Sequence, residues 1–79
     1  MGQYDKLYKE FLSKLHKART EARLTQKQVA ELLQKPQSYV SKSESGERRI
    51  DIVELTGFAR IYNKPLDYFV EMDKGIPGQ

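Results

Sequence analysis

Apolar residues fall at helical spacing along most of the chain, with polar residues filling the positions between them. Leu7, Phe11, Leu15, Ala18 and Ala22 recur every three or four residues and nothing between them breaks a helix, which predicts a first helix from about Tyr4 to Arg23. Two start signals then coincide. Thr25-x-x-Gln28 reads as a capping box, and Leu24 with Val29 occupies the positions of a hydrophobic staple. The second helix carries the stripe Val29, Ala30, Leu32 and Leu33, and a short Gln-Lys-Pro link leads to a third helix that begins near Pro36 or Gln37 and ends at Gly46. Asp51-x-x-Glu54, with Ile50 and Leu55 as staple, opens a fourth helix running to about Tyr62. Asn63-Lys64-Pro65 stops it, and Leu66 to Glu71 forms a short fifth. Residues 73–79, with two glycines and a proline, read as a frayed tail. No segment alternates as a strand does. The pattern therefore predicts an all-α fold with a single domain over residues 1–72.

Residues 25–45 place two short helices and a tight link in the order of a helix-turn-helix. At about 100° per residue, Gln37, Ser38, Ser41 and Lys42 share one arc of the third helix while Val40 points away from it. Such a polar arc suits direct readout of DNA. A glutamine amide pairs with N6 and N7 of adenine, a lysine donates to guanine O6 and N7, and serines bond many partners. An ordinary solvated face gives the same pattern in isolation; the helix-turn-helix context favours base reading.

The charge is unevenly spread. The formal net charge is +3, but residues 14–49 alone hold nine Lys/Arg against four Asp/Glu, a local +5 that coincides with the helix-turn-helix. A localised basic surface attracts phosphate in a salt-sensitive way. Other chemistry is poorly supplied. With no cysteine and a single histidine, His16, on a heavily charged helix, there is no metal cluster, no nucleophile pair and no glycine-rich phosphate loop. The chain is read as a non-enzyme with no cofactor and no metal. No apolar run approaches the roughly 20 residues that span a bilayer, and the N-terminus lacks a signal-peptide core, so no membrane association and a cytoplasmic location are expected.

Residues from about Phe11 to Val70 resemble the Cro and phage-repressor helix-turn-helix family, also called the xenobiotic-response-element type. The matching stretches are LTQKQVAELL, PQSYVSKSESGERR and the following helix ending KPLDYF. Their order and spacing together are specific where a lone TQxxxA would not be. The resemblance implies a five-helix, lambda-repressor-like DNA-binding domain, here with an extended first helix, and a role in transcription regulation with double-stranded DNA as partner. It implies that Gln37, Ser38, Ser41 and Lys42 read bases, and that Gln26, Tyr39, Ser45, Arg48 and Arg49 meet the phosphate backbone, with Gln26 also bracing Gln37. It further implies that Arg19 pairs with Glu44 to fix the third helix on the scaffold. Three residues depart from the family pattern. Gln34 stands where glycine is usual, so a left-handed turn there costs on the order of 1 kcal/mol or the turn is reshaped. Lys35 replaces an apolar turn residue. Ser43 replaces a large core-facing one, leaving space for Tyr39 or the first helix.

One reading helix covers few base pairs, so a homodimer on a two-fold operator is expected. The apolar set at the C-terminal end points to Tyr68, Val70 and Met72 as the dimer contact, with Leu66 and Phe69 facing the core. The stripe Tyr4, Leu7, Tyr8 and Phe11 is expected to pack on the fifth helix, or else to form the contact itself. A different class stays open: an antitoxin-like or regulatory module that binds a protein partner, with DNA binding secondary.

Overall fold

Three of the helices end in the same way, on a residue other than glycine in the left-handed conformation. The computed structural model describes residues 3–70, with side chains from Asp5 onward. It contains α1 (Gln3–Glu21), α2 (Gln26–Leu33), α3 (Gln37–Ser45), α4 (Ile52–Tyr62) and α5 (Leu66–Phe69). After α1, α2 and α4, respectively, Arg23 (φ 62°), Gln34 (φ 58°) and Asn63 (φ 57°) turn the chain. The next amide reaches back five residues each time, Leu24 to Arg19 O, Lys35 to Ala30 O and Lys64 to Ala59 O, which satisfies carbonyls that a helix end leaves open. Gln34 therefore takes the strained left-handed turn that its position called for, and the turn keeps its shape. Arg23 stops α1 two residues earlier than the apolar spacing predicts. Pro36 sits just before α3 with extended backbone (φ −64°, ψ 155°), and Gln37 is the first helical residue.

The starts follow the capping chemistry. Thr25 Oγ1 accepts the Gln28 amide at 3.1 Å while Gln28 Oε1 accepts the Thr25 amide at 2.8 Å. Asp51 and Glu54 make the same reciprocal pair, at 2.7 Å and 3.0 Å. Such a box satisfies two of the donors a helix start exposes.

All five helices contribute to one core. Phe11, Leu15 and Ala18 of α1, Val29 and Ala30 of α2, Val40 of α3, Leu55, Phe58, Ala59 and Tyr62 of α4, and Phe69 of α5 are buried together. α2 and α4 approach closely at Gly57, where an added Cβ would stand 3.2 Å from Leu33 Cδ2. Phe11 and Phe69 meet edge to face at 6.5 Å, joining α1 to α5. The N-terminal stripe divides its roles. Phe11 packs on α5 as expected, but Tyr8 turns to the loop between α3 and α4, and Leu7 is exposed. Leu66, expected in the core, is exposed; a helix of only four residues can bury one side of itself, and Phe69 takes that side. The Tyr4 side chain, Met72 and the tail 73–79 lie outside the described residues.

Candidate nucleic-acid interface

α3 is anchored by a narrow strip of its circumference. Val40 and Ser43 are buried, and the Ser43 hydroxyl donates to the Tyr39 carbonyl at 2.6 Å, so the small polar residue in the core leaves no unpaired donor. Tyr39 is half-buried, its ring parallel to Phe58 at 6.1 Å between centroids. Gln37, Ser38 and Lys42 are exposed on the remaining side, with Ser41 half-buried beside them. The Ser41 hydroxyl donates to the Ser38 carbonyl at 3.3 Å, and that of Ser45 to the Lys42 carbonyl at 3.1 Å.

Glu44 holds α3 to the two preceding helices. Arg19 of α1 donates from Nε to Glu44 Oε2 at 2.6 Å and from Nη2 to Oε1 at 3.2 Å. Its Nη1 donates to the Leu24 carbonyl at 2.9 Å, so the same guanidinium also ties down the link to α2. Gln26, the first residue of α2, donates from Nε2 to Glu44 Oε1 at 3.1 Å. The bracing partner of Gln26 is thus Glu44 rather than Gln37, and the second N–H of its amide remains for another acceptor. His16 Nδ1 stands 3.4 Å from Glu44 Oε1. Burial pushes the Glu44 carboxyl up, but the hydrogen bonds from Arg19 and Gln26 outweigh it and its pKa ends below the ordinary value. The bond to Glu44 raises Arg19 against an opposing effect of burial. Both groups are therefore charged wherever the protein is folded at neutral pH.

The loop after α3 carries two arginines in different surroundings. Arg48 forms a two-pronged ion pair with Glu54 of α4, with Nη1 3.2 Å from Oε1 and Nη2 bonded to Oε2, and its guanidinium lies 4.2 Å from the Tyr39 ring centre. The bond from Arg48 comes first, and the Asp51 amide second, in pulling the Glu54 pKa down to about 2. Arg49 is exposed and its guanidinium carbon stands 4.2 Å from the Tyr8 ring centre, while the Tyr8 hydroxyl accepts the Ile50 amide at 3.1 Å. Tyr8 therefore holds the loop to α1. Lys35 stands 5.3 Å from the other stacking partner, the Tyr39 ring. Burial, then the nearby Glu54 carboxylate, raises the Tyr39 phenol above its ordinary pKa, so Tyr39 is a neutral donor at any physiological pH.

Scanned against protein families, residues 15–69 match the helix-turn-helix model of Cro/C1 type, the XRE family. The chain belongs to this helix-turn-helix family. The match covers more than half of the chain and spans α2, the turn, α3 and α4 in the order described. Comparisons with curated proteins and with solved structures gave no significant match. The helix-turn-helix family is one of DNA-binding regulators and not of enzymes. Among the described residues no group of His, Cys, Asp or Glu is arranged to hold a metal ion, and no helix is long and apolar enough to cross a membrane.

Of the residues read from the sequence, the structure brings Gln26, Arg19 and Glu44 into one network and sets Gln37, Ser38, Ser41 and Lys42 on one side of α3. It sets Arg48 apart from Arg49 by pairing it with Glu54. Tyr68, one of three residues expected at a dimer contact, is half-buried with the ammonium groups of Lys64 and Lys14 at 4.5 and 5.4 Å from its ring centre, while Val70 is exposed. Two residues that shape the interface were missed. Tyr8 was read as packing on the fifth helix, with no part in holding the loop, and Glu54 only as a cap. A signal existed for Glu54, because a carboxylate on the first turn of α4 faces back toward the loop that delivers Arg48.

Proposed function

We propose that this protein is a sequence-specific transcriptional regulator that lays α3 in the major groove and reads bases with Gln37, Ser38, Ser41 and Lys42. The observation that carries the reading is the division of α3: two core-facing anchors on one side, four polar side chains on the other, and a buried ion pair holding the whole helix to its neighbours. Gln26 and the free amides at the start of α2 would meet one phosphate. Tyr39, Ser45 and Arg49 would meet others, and Arg48 would contribute less because Glu54 already compensates its charge. One α3 covers only a few base pairs, so the protein acts on a two-fold operator as a homodimer, its two α3 helices roughly 34 Å apart. It works in the cytoplasm, at its DNA.

Selection from a random DNA pool tests the reading directly and should return a two-fold consensus. On that site Gln37→Ala should cost about 1–3 kcal/mol and relax one base position, with far smaller loss on random DNA. Equal losses on both would remove Gln37 from base reading. Arg49→Ala should lower the slope of log K against log salt by about one, and Arg48→Ala by clearly less.

A further inference from the structure

We infer that His16 is a positioning residue for the DNA contact: its protonated ring takes the Glu44 carboxylate from Gln26 and frees the Gln26 amide to bind a phosphate. The phosphate contact rests on the DNA-binding reading; the exchange at Glu44 does not. His16 Nδ1 lies between a donor and an acceptor, 3.3 Å from Arg19 Nη2 and 3.4 Å from Glu44 Oε1. A bare Nδ1 accepts from the guanidinium and turns its lone pair on the carboxylate. A protonated one donates to Glu44 instead, with the charge assistance that makes such bonds roughly twice as strong as neutral ones. The place it needs is already taken. Glu44 Oε1 accepts from Gln26 Nε2 at 3.1 Å and from Arg19 Nη2 at 3.2 Å, while Oε2 accepts from Arg19 Nε at 2.6 Å. A carboxylate oxygen has two lone-pair directions, so a third donor on Oε1 displaces one of the first two. Gln26 is the one that yields, because its amide is neutral, whereas Arg19 is charged and is held as well by Oε2 and the Leu24 carbonyl.

The surroundings suit such an exchange. The His16 side chain is 59% exposed, so a proton reaches it without any opening of the fold, while that of Glu44 is only 6% exposed. His16, Gln26 and Glu44 line one recess of about 560 Å³ together with Ser41 and Ser45, which belong to the part of α3 assigned to DNA. While Glu44 holds it, the Gln26 amide offers one N–H to another acceptor; released into the recess, it offers both. The groups around His16 keep a fixed charge over the range in which an imidazole ordinarily titrates, roughly pH 5 to 8. Arg19 on the same helix and Glu44 on α3 are both charged, α2 presents the neutral Gln26, and Tyr62 of α4, close enough to feel both charges, keeps a neutral phenol because burial raises its pKa. Protonation of the ring favours the released amide, so DNA binding takes up a proton and tightens as pH falls.

A phosphate contact needs no particular sequence, so a random-sequence duplex of about 20 base pairs, two helical turns, is a sufficient probe. Its affinity should rise about five-fold between pH 8 and pH 6, the worth of one net hydrogen bond. The rise should vanish in His16→Ala and equally in Gln26→Met. Affinity that is equal at the two pH values overturns the proposal, and so does a rise that survives Gln26→Met, which would make His16 a direct cation on the DNA. Because His16 is the single histidine, the alanine variant also carries the contribution of every other titrating group. A second measurement uses no DNA. In nitrogen-15-labelled protein the side-chain amide resonances of Gln26, identified by their loss in Gln26→Met, should move between pH 8 and pH 6 and should stay in place in His16→Ala, with the helical circular dichroism unchanged. Resonances that stay in place in the unaltered protein overturn the exchange outright. Should they move while no duplex binds at either pH, the exchange at Glu44 stands and the DNA reading falls.

Discussion

Replacing Arg19 with Met should destabilise this domain more than any exposed substitution, and the structure gives the size of the effect. The side chains of Arg19 and Glu44 are only 12% and 6% exposed. Methionine fills much of the same space but removes both bonds to Glu44 and the bond to the Leu24 carbonyl, leaving the buried carboxylate with the Gln26 amide and His16. Breaking one partner of such a pair costs about 3–5 kcal/mol. A domain of 79 residues has a total stability of about 4–12 kcal/mol, so the variant should sit near its folding limit, with a melting temperature lowered by more than about 12 °C. The sign of the pH dependence should also reverse. In the native protein Glu44 is held below its ordinary pKa, so its contribution is present above the ordinary carboxylate range and is lost as pH falls. In the Met variant burial, the largest influence, is opposed only by the Gln26 and His16 bonds, so the pKa moves up and stability should rise as pH falls toward 5. Arg19→Met/Glu44→Leu should recover part of the loss. Thermal melts of the four proteins between pH 5 and 8 measure all of this. Additive effects in the cycle, together with no gain for the Met variant in acid, would refute a coupled buried pair.

Gln34→Gly should raise stability by about 0.5–1 kcal/mol, because relief of a left-handed side chain exceeds the entropy that glycine adds to the unfolded state; a loss in urea melts would contradict it. Tyr62 has a buried hydroxyl with no hydrogen-bond partner among the described residues, so Tyr62→Phe should be neutral or stabilising, and a loss above about 1 kcal/mol would show an uncounted bond. Burial, then the Glu44 charge, raises the Tyr62 pKa, so its stabilising effect is complete below the ordinary tyrosine value of about 10 and is lost above it; the Phe variant should resist alkaline unfolding better. Glu54, held near 2, contributes stability above the ordinary carboxylate pKa that is lost as pH falls through about 4.5 toward 2. Glu54→Gln should therefore show a shallower acid transition in that window.

The legibility of the fold followed the range of the interactions that make it. Caps, staples and helical spacing are local, and Thr25, Asp51 and the five helices were readable from a few neighbouring residues each. The stop at Arg23 was not, because nothing in an arginine announces a left-handed backbone; that conformation is imposed by the Leu24 amide reaching Arg19 O and by the guanidinium of Arg19 closing on the Leu24 carbonyl. The polar arc of α3 was legible because it depends only on the period of the helix. The partners of charged side chains were less so. Gln26 was expected on Gln37, eleven residues away along the chain, and the structure gives it to Glu44 instead, since the carboxylate is the stronger acceptor and is already held in place by Arg19.

The same limit applies to charge. Summed along the chain, residues 14–49 carry +5, and that sum treats every arginine as available to a phosphate. Two are not. Arg19 is spent on Glu44 inside the domain, and Arg48 on Glu54, a residue beyond the counted segment. Under the proposed function the attraction for DNA falls to cations that no carboxylate holds among the described residues, Lys42 on α3 and Arg49 in the loop, with Lys35 over the Tyr39 ring. Arg48 takes a different part: its pair with Glu54 ties the loop to α4 and its place over Tyr39 ties it back to α3, as Tyr8 ties it to α1. The loop that leaves α3 is thereby clamped from two sides, and Arg49 is presented from a fixed backbone instead of a mobile one. Under the proposed function a clamped Arg49 fixes the register of the phosphate contacts, and the sequence itself is left to the polar arc of α3.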